Sequence, residues 1–126
     1  MYGYKKEVSL SYEEALKKVK DELQKEEFGV LTEIDVKATL EKKLGVDVDN
    51  YAILGACNPP AAYKALQAEP DIGLMLPCNV IVYEKESKIY VSAIKPTLAM
   101  QMIDNDRLKK IALEIEAKLK KVIDNL

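Results

Sequence analysis

The sequence predicts an α+β domain of 126 residues. Segments that alternate apolar and polar residues, as strands do, are interspersed with segments whose apolar residues recur at helical spacing. A central stretch, residues 51–83, carries charge only at Lys64, Glu69 and Asp71, although 32% of the chain is charged. Because a long segment with so few charges cannot face water throughout, it should form the centre of the fold.

The bulk composition fits one domain over residues 1–126, and it argues against several classes of partner. The net charge is -2 and the two signs are interspersed, so no basic block is present that could bind nucleic acid. The chain has no apolar run of about 20 residues and no secretory signal at its start, so we expect no membrane partner. Two cysteines without a Cys-x-x-Cys motif are typical of free thiols in the cytoplasm.

The chain begins with a strand and a capped helix. Residues 4–10 alternate in polarity, which predicts the first strand. Ser11 and Glu14 have the spacing of a capping box, which predicts that a helix begins at once and covers roughly residues 12–26. The apolar residues that should face the core are Tyr12, Ala15, Leu16, Val19 and Leu23.

A second strand and a short helix follow. Residues 30–36 alternate in polarity, which predicts one buried and one solvated face. The apolar residues Val36, Leu40 and Leu44 recur at four-residue intervals and indicate a short helix. Gly45 is suited to end that helix in the left-handed conformation.

The charge-poor centre begins with a third strand over residues 51–56. This strand is apolar on both faces, which predicts an interior place in the sheet or a face in a subunit contact. Asn58 is a favourable N-cap and Pro59 a favourable first helical residue, so a helix should extend to about residue 68. The side chains expected to face inward are Ala62, Tyr63 and Leu66.

A hairpin and two further segments complete the chain. Residues 74–83 read as a strand, in which Pro77 implies an edge position or a bulge. Residues 89–94 should return antiparallel to it after a charged turn. Residues 96–102 are expected to expose methionines and could be a lid, a dimer contact or ordinary core. A last helix from residue 104 or 105 to about 123 should lay one apolar stripe across the sheet, formed by Leu108, Ile111, Ile115, Leu119 and Val122.

Two similar Cys-Asn elements are the candidate functional residues. Cys57 and Asn58 precede Pro59, whereas Cys78 and Asn79 follow a proline. Cys57 falls at the junction of a strand and a helix start, where backbone amides and the helix dipole would favour a thiolate or a bound anion. The absence of histidine excludes a histidine triad, a histidine general base and the commonest zinc sites.

We expect these elements to form the site of a binding module. Asparagine offers donors and acceptors, and a thiol is polarisable, so Cys57, Asn58, Cys78 and Asn79 could line a pocket for a small polar ligand, an anion or a soft metal. For each residue a purely structural role is the alternative: Asn58 would cap a helix, Asn79 would satisfy the backbone beside the proline, and the cysteines would be small buried groups.

The second functional hypothesis is thiol-based redox or sulfur-handling chemistry. Cys57 would be the nucleophile and Cys78 the resolving thiol, which requires their Cα atoms to lie within about 7 Å. A hydrolase is the third hypothesis and has the least support, because nothing in the sequence places a nucleophile beside a base. The sequence therefore assigns no catalytic residue and no cofactor.

The segments Gly55–Pro60 (GACNPP) and Leu76–Tyr83 (LPCNVIVY), together with Val91-Ser92-Ala93 and Pro96, resemble the family known as domain of unknown function 302. The resemblance implies a curved, mainly antiparallel sheet that carries helices, grouped with TATA-binding-protein-like folds, and commonly a homodimer. It implies no established reaction. It does not imply DNA binding, since function does not follow from fold and no basic surface is present.

Overall fold

The computed structural model describes residues 1–126 and contains one antiparallel sheet with helices packed on it. The α+β class predicted from the sequence is confirmed. The strands are β1 (Gly3–Val8), β2 (Gly29–Asp35), β3 (Tyr51–Cys57), β4 (Cys78–Lys85) and β5 (Lys88–Ile94). The helices are α1 (Tyr12–Lys25), α2 (Val36–Leu44), α3 (Pro59–Ala68), α4 (Pro96–Ala99) and α5 (Asp106–Asp124), and a 3-10 helix covers Pro70–Met75. The strand order is β1-β5-β4-β3-β2.

The helix ends follow local capping chemistry, as the sequence predicts. Ser11 and Glu14 form both hydrogen bonds of the capping box at the start of α1, each 3.1 Å long. Helix α2 ends at Gly45, whose φ of 66° is left-handed. The carboxamide of Asn105 accepts from the Leu108 amide and begins α5.

The main core lies between one face of the sheet and the two long helices. The apolar stripes of α1 and α5 pack against the inward side chains of the central strands, such as Leu54, Val80 and Val91. These inward residues alternate along each strand with the side chains of the opposite face. Burial of this shared cluster is the main source of the stability of the fold.

The opposite face of the sheet carries a row of partly exposed tyrosines. Tyr51 pairs with Tyr83 across β3 and β4, and Tyr83 pairs with Tyr90 across β4 and β5. Successive ring centroids are 5.3 Å apart, and the rings are stacked. The next row contains Ile53 and Ile81, which are register partners. We call this surface the tyrosine face.

Strand β2 differs from the expectation of one buried and one solvated face. It is an edge strand, and almost all of its residues are exposed. Its register with β3 shifts between Val30 and Thr32, which interrupts the regular alternation of sides. Polarity alternation predicts the strand but does not show whether a second layer covers it.

The predicted strand over residues 74–83 begins later than expected. Residues up to Met75 belong to the 3-10 helix, and β4 starts at Cys78. Pro77 therefore lies ahead of the strand and removes no ladder hydrogen bond. Strand β4 consequently occupies a central position between β3 and β5, and the expectation of an edge or a bulge at Pro77 was wrong.

Helix α3 turns a different side toward the protein than the sequence suggested. Ala65 is buried, whereas Tyr63 is 66% exposed and Leu66 is also exposed. The helix is short and rests on the molecule through small alanines, so Tyr63 remains in solvent and Leu66 is only partly covered. No helix of the chain is both long enough and apolar enough to cross a bilayer.

A candidate ligand cavity beside the Cys-Asn elements

The two Cys-Asn elements meet at one end of the sheet because β3 and β4 are antiparallel neighbours. Strand β3 ends at Cys57, the chain passes through α3 and the 3-10 helix, and β4 starts at Cys78 beside the end of β3. Ala56 is the register partner of Cys78. If β3 and β4 were parallel, the end of β3 and the start of β4 would lie at opposite ends of the sheet.

A cavity of about 290 Å³ lies between this end of the sheet, α3 and α5. Eighteen residues line it, and fifteen of them are hydrophobic. The lining residues are Phe28, Leu31, Ala56, Cys57, Asn58, Ala61, Ala62, Ala65, Leu66, Leu76, Pro77, Cys78, Pro96, Met100, Leu108, Ile111, Ala112 and Ile115. None of them carries a formal charge, so the cavity wall is almost wholly apolar.

The structure brings three of the four predicted site residues to this cavity. Cys57, Asn58 and Cys78 contribute to its wall. Asn79 is exposed and pairs with Gly55 on the opposite face of the sheet. Successive residues of a strand point to opposite faces, so the burial of Cys78 turns Asn79 away from the cavity.

The two cysteines are free and do not form a close pair. Because Ala56 and Cys78 are register partners, their side chains share a face, and Cys57, the next residue, leaves the strand on the other side. Cys57 is half-buried and borders the cavity where the sheet ends, whereas Cys78 is buried. The close cysteine pair that the redox hypothesis requires is therefore not formed.

Asn58 has a structural role that occupies its carboxamide. Its Oδ1 atom accepts from the Ala61 amide at 3.2 Å and caps α3. Its Nδ2 atom donates to the carbonyl oxygen of Glu26 at 3.3 Å, which ties the start of α3 to the end of α1. The residue is only 6% exposed. Both ends of the amide therefore already have partners within the protein.

The start of α3 offers no free amide to an anion. Pro59 and Pro60 lack a backbone N–H, the Ala61 amide donates to the Asn58 side chain, and the Ala62 amide donates to the Asn58 carbonyl at 2.8 Å. Anion sites at helix starts depend on unpaired amides that point at the ligand. This helix start therefore lacks the donors that the sequence led us to expect.

The thiol of Cys78 is held in its protonated form. Burial raises the pKa of the Cys78 thiol to about 11, because an apolar environment disfavours the thiolate. A thiol is nucleophilic and binds metal mainly as the thiolate. In addition, no group of three or more Cys, Asp or Glu side chains is arranged to hold a metal ion.

Several residues of the cavity wall were not singled out from the sequence. Leu108, Ile111 and Ile115 of α5 were expected to lie on the sheet, yet they also form one side of the cavity. Met100 belongs to the segment that the sequence left open as lid, contact or core. The available signal was the run of alanines in α3, since small side chains on a packed helix leave space beside them.

Comparison with known proteins supports the resemblance seen in the GACNPP and LPCNV segments. The family model described as domain of unknown function DUF302 matches residues 4–126. The chain belongs to the DUF302 family. The structure of this DUF302 protein is similar to the crystal structure of an uncharacterized conserved DUF302 protein from Bacillus stearothermophilus, with a TM-score of 0.93 and 33% sequence identity. The match covers 98% of this chain and 97% of that one. No curated protein matches this DUF302 chain.

Proposed function

We propose that this DUF302 protein is a binding module for a small, mainly apolar molecule in the cavity between α3, α5 and the end of the sheet. The observation that carries this proposal is the cavity itself, about 290 Å³ in volume with fifteen hydrophobic residues among the eighteen that line it. An apolar cavity of about 150 Å³ binds benzene, so this one has room for about twelve carbon atoms.

The wall favours an apolar ligand over the polar ligand, anion or soft metal suggested by the sequence. The carboxamide of Asn58 already has two partners, and no lining residue is charged. A buried polar ligand would lose hydrogen bonds to water that this wall does not replace. Burial of an apolar ligand needs no such partners.

Redox or sulfur chemistry has less support. A resolving thiol must attack as its thiolate, and the buried Cys78 thiol has a pKa of about 11. No general base or charged group lies in the cavity wall to activate Cys57. The proposed function is therefore binding without a covalent step, and no catalytic residue is assigned.

We further propose that the protein acts as a homodimer in the cytoplasm. Tyr51, Tyr83 and Tyr90 form a stacked row on the tyrosine face, and Ile53 and Ile81 form an apolar row beside it. A second copy of the chain would cover both rows, and aromatic residues are enriched in interfaces of this kind. Two free cysteines suit a reducing compartment.

The binding proposal is tested with a fluorescent apolar probe of ten carbons, 1-naphthylamine, and its displacement by decanol. We expect saturable binding in the micromolar range that Ala62→Phe weakens at least about tenfold, because the added ring fills the cavity from α3. Gln67→Phe is the matched control, since it adds the same ring on an exposed position of the same helix outside the cavity.

Equal probe binding by the two variants would show that the probe occupies another surface and would overturn the proposal. Binding of zinc or inorganic phosphate by a protein that does not bind the probe would favour the metal or anion reading instead. Circular dichroism of each variant verifies that the fold is intact.

A further inference from the structure

A second hollow lies directly behind one wall of the candidate cavity. It has a volume of about 320 Å³ and lies between α4, the segment that follows it, and α5. Its lining consists of Thr97, Leu98, Met100, Gln101, Lys109, Ala112 and Leu113. Met100 and Ala112 contribute to both hollows. Since alanine has no side chain beyond Cβ, Met100 supplies most of the partition.

Met100 is packed in place between the two hollows. The side chain is only 7% exposed and packs in the smaller apolar cluster with Ile72 and Leu108. Methionine is unbranched and has three rotatable side-chain bonds, so it fills irregular gaps in a core more readily than leucine or isoleucine.

The backbone around Met100 is fastened by hydrogen bonds. The Met100 amide donates to the Pro96 carbonyl at 2.9 Å. The amide and hydroxyl of Thr97 both donate to Oε1 of Glu116 on α5, at 3.2 and 2.6 Å. Farther along, Nδ2 of Asn105 donates to the Ala68 carbonyl at 2.7 Å. The segment is therefore held in place, and the side chain of Met100 stays between the two hollows.

We propose that Met100 is the specificity-determining residue that sets the length of the ligand, and that the ligand is a flexible, unbranched alkyl chain. This inference rests on the proposed function of the cavity. A linear chain is narrow enough to extend through the cavity as far as Met100, and to continue into the second hollow where that side chain is removed, whereas a ring system is not. No charged group lines the main cavity. The polar head group of such a ligand therefore remains in water at the mouth of the cavity and adds little to selectivity.

Affinity should rise with the length of the alkyl chain up to a limit. Each buried methylene raises affinity about fourfold as long as the chain lies within the main cavity. The main cavity is full at about twelve carbons, after which Met100 blocks further burial and the affinity stops rising. Removal of the partition lets longer chains enter the second hollow and continue to gain affinity.

The test measures displacement of 1-naphthylamine by the alcohols octanol, decanol, dodecanol, tetradecanol and hexadecanol. For the native protein we expect affinity to rise to dodecanol and then to level off. For Met100→Ala we expect a rise that continues to hexadecanol, which should bind at least about tenfold more tightly than to the native protein, with octanol changed less than about twofold. The matched control is Met102→Ala, which removes an 81% exposed methionine two residues away and should behave as the native protein.

Three outcomes separate this proposal from the one on which it rests. If octanol and decanol bind, but affinity stops rising at the same chain length in the native protein and in Met100→Ala, the role of Met100 is overturned. The binding module then still stands. If none of the alcohols binds or displaces the probe, both the role of Met100 and the binding module are overturned. If Met100→Ala does not fold, Met100→Val keeps part of the core contact and should shift the limiting length in the same direction. An unchanged limit in Met100→Val would also overturn the proposal.

Discussion

Nδ2 of Asn58 donates a hydrogen bond to the carbonyl oxygen of Glu26, 3.3 Å away and 32 positions earlier in the chain. This contact joins the end of α1 to the start of α3, and the same carboxamide caps α3 through its oxygen. A residue whose chemistry suggests ligand binding is thus used by the protein to fix one wall of the cavity. In our proposal, the ligand contacts the apolar side chains of the cavity wall that Asn58 holds in place.

Asn58→Ala should therefore lower the free energy of unfolding by about 1–3 kcal/mol, since it removes a helix cap and leaves the partly buried Glu26 carbonyl without that donor. Urea unfolding followed by circular dichroism measures the change. Asn79→Ala is the matched control, because Asn79 is exposed on the other side of the sheet, and it should change stability by less than about 0.5 kcal/mol. Equal effects of the two substitutions would contradict the assigned role of Asn58.

Cys78 should make stability fall as the solution becomes alkaline. Its folded-state pKa of about 11 lies above the ordinary thiol value of 9.0, so the unfolded chain loses the proton first. The contribution is fully present below pH 9 and is lost as the pH rises to about 11. It amounts to about 2–3 kcal/mol, and Cys78→Ala should remove that dependence from urea-unfolding curves measured across this range. A pH profile identical in the native protein and in the variant would contradict it.

Gly55 is held where no side chain fits. A Cβ at this position would collide with the side-chain oxygen of Thr32 and lie 2.8 Å from Cγ of Pro77. Gly55→Ala should therefore destabilise the protein by about 1–3 kcal/mol, because the proline ring cannot rotate away. Gly29→Ala, at a strand position with nothing within 4 Å of the new Cβ, should be neutral or slightly stabilising. Thermal unfolding of both variants, compared with the native protein, decides the matter.

The tyrosine face should control self-association. Tyr83 lies in the middle of the row, stacked against Tyr51 on one side and Tyr90 on the other. If a second copy covers this face, Tyr83→Glu places a charge in the contact and should weaken the dimer by about 2 kcal/mol or more, roughly thirtyfold in Kd. Sedimentation velocity over a range of concentrations measures the shift.

The control for that experiment is Tyr63→Glu, at an exposed tyrosine of α3 that lies outside the tyrosine face. It should leave self-association unchanged. A native protein that remains monomeric at every concentration would contradict the proposed homodimer, and a dimer that survives Tyr83→Glu would place the contact elsewhere.

Helix boundaries are predictable from the sequence where the determining contacts are local. The starts of α1, α3 and α5 follow from Ser11, Asn58 and Asn105, because a cap bonds to an amide three residues away in the same chain. The end of α2 follows from Gly45 for the same reason. The charge-poor stretch correctly marks β3 and β4, two of the three interior strands, since charges are costly to bury wherever the segment lies.

The composition of the cavity depends on contacts between distant parts of the chain. Asn79 lies outside the cavity and the two cysteines diverge because the register of β3 against β4 pairs Cys78 with Ala56 and not with Cys57. A shift of one residue would reverse both facts without altering any local preference. Likewise, α5 and Met100 reach the cavity only through packing, so their part in its wall is absent from any short segment of sequence. Local hydrogen bonding is encoded in neighbouring residues, whereas the shape and chemistry of a hollow arise from the faces that several elements turn toward one another.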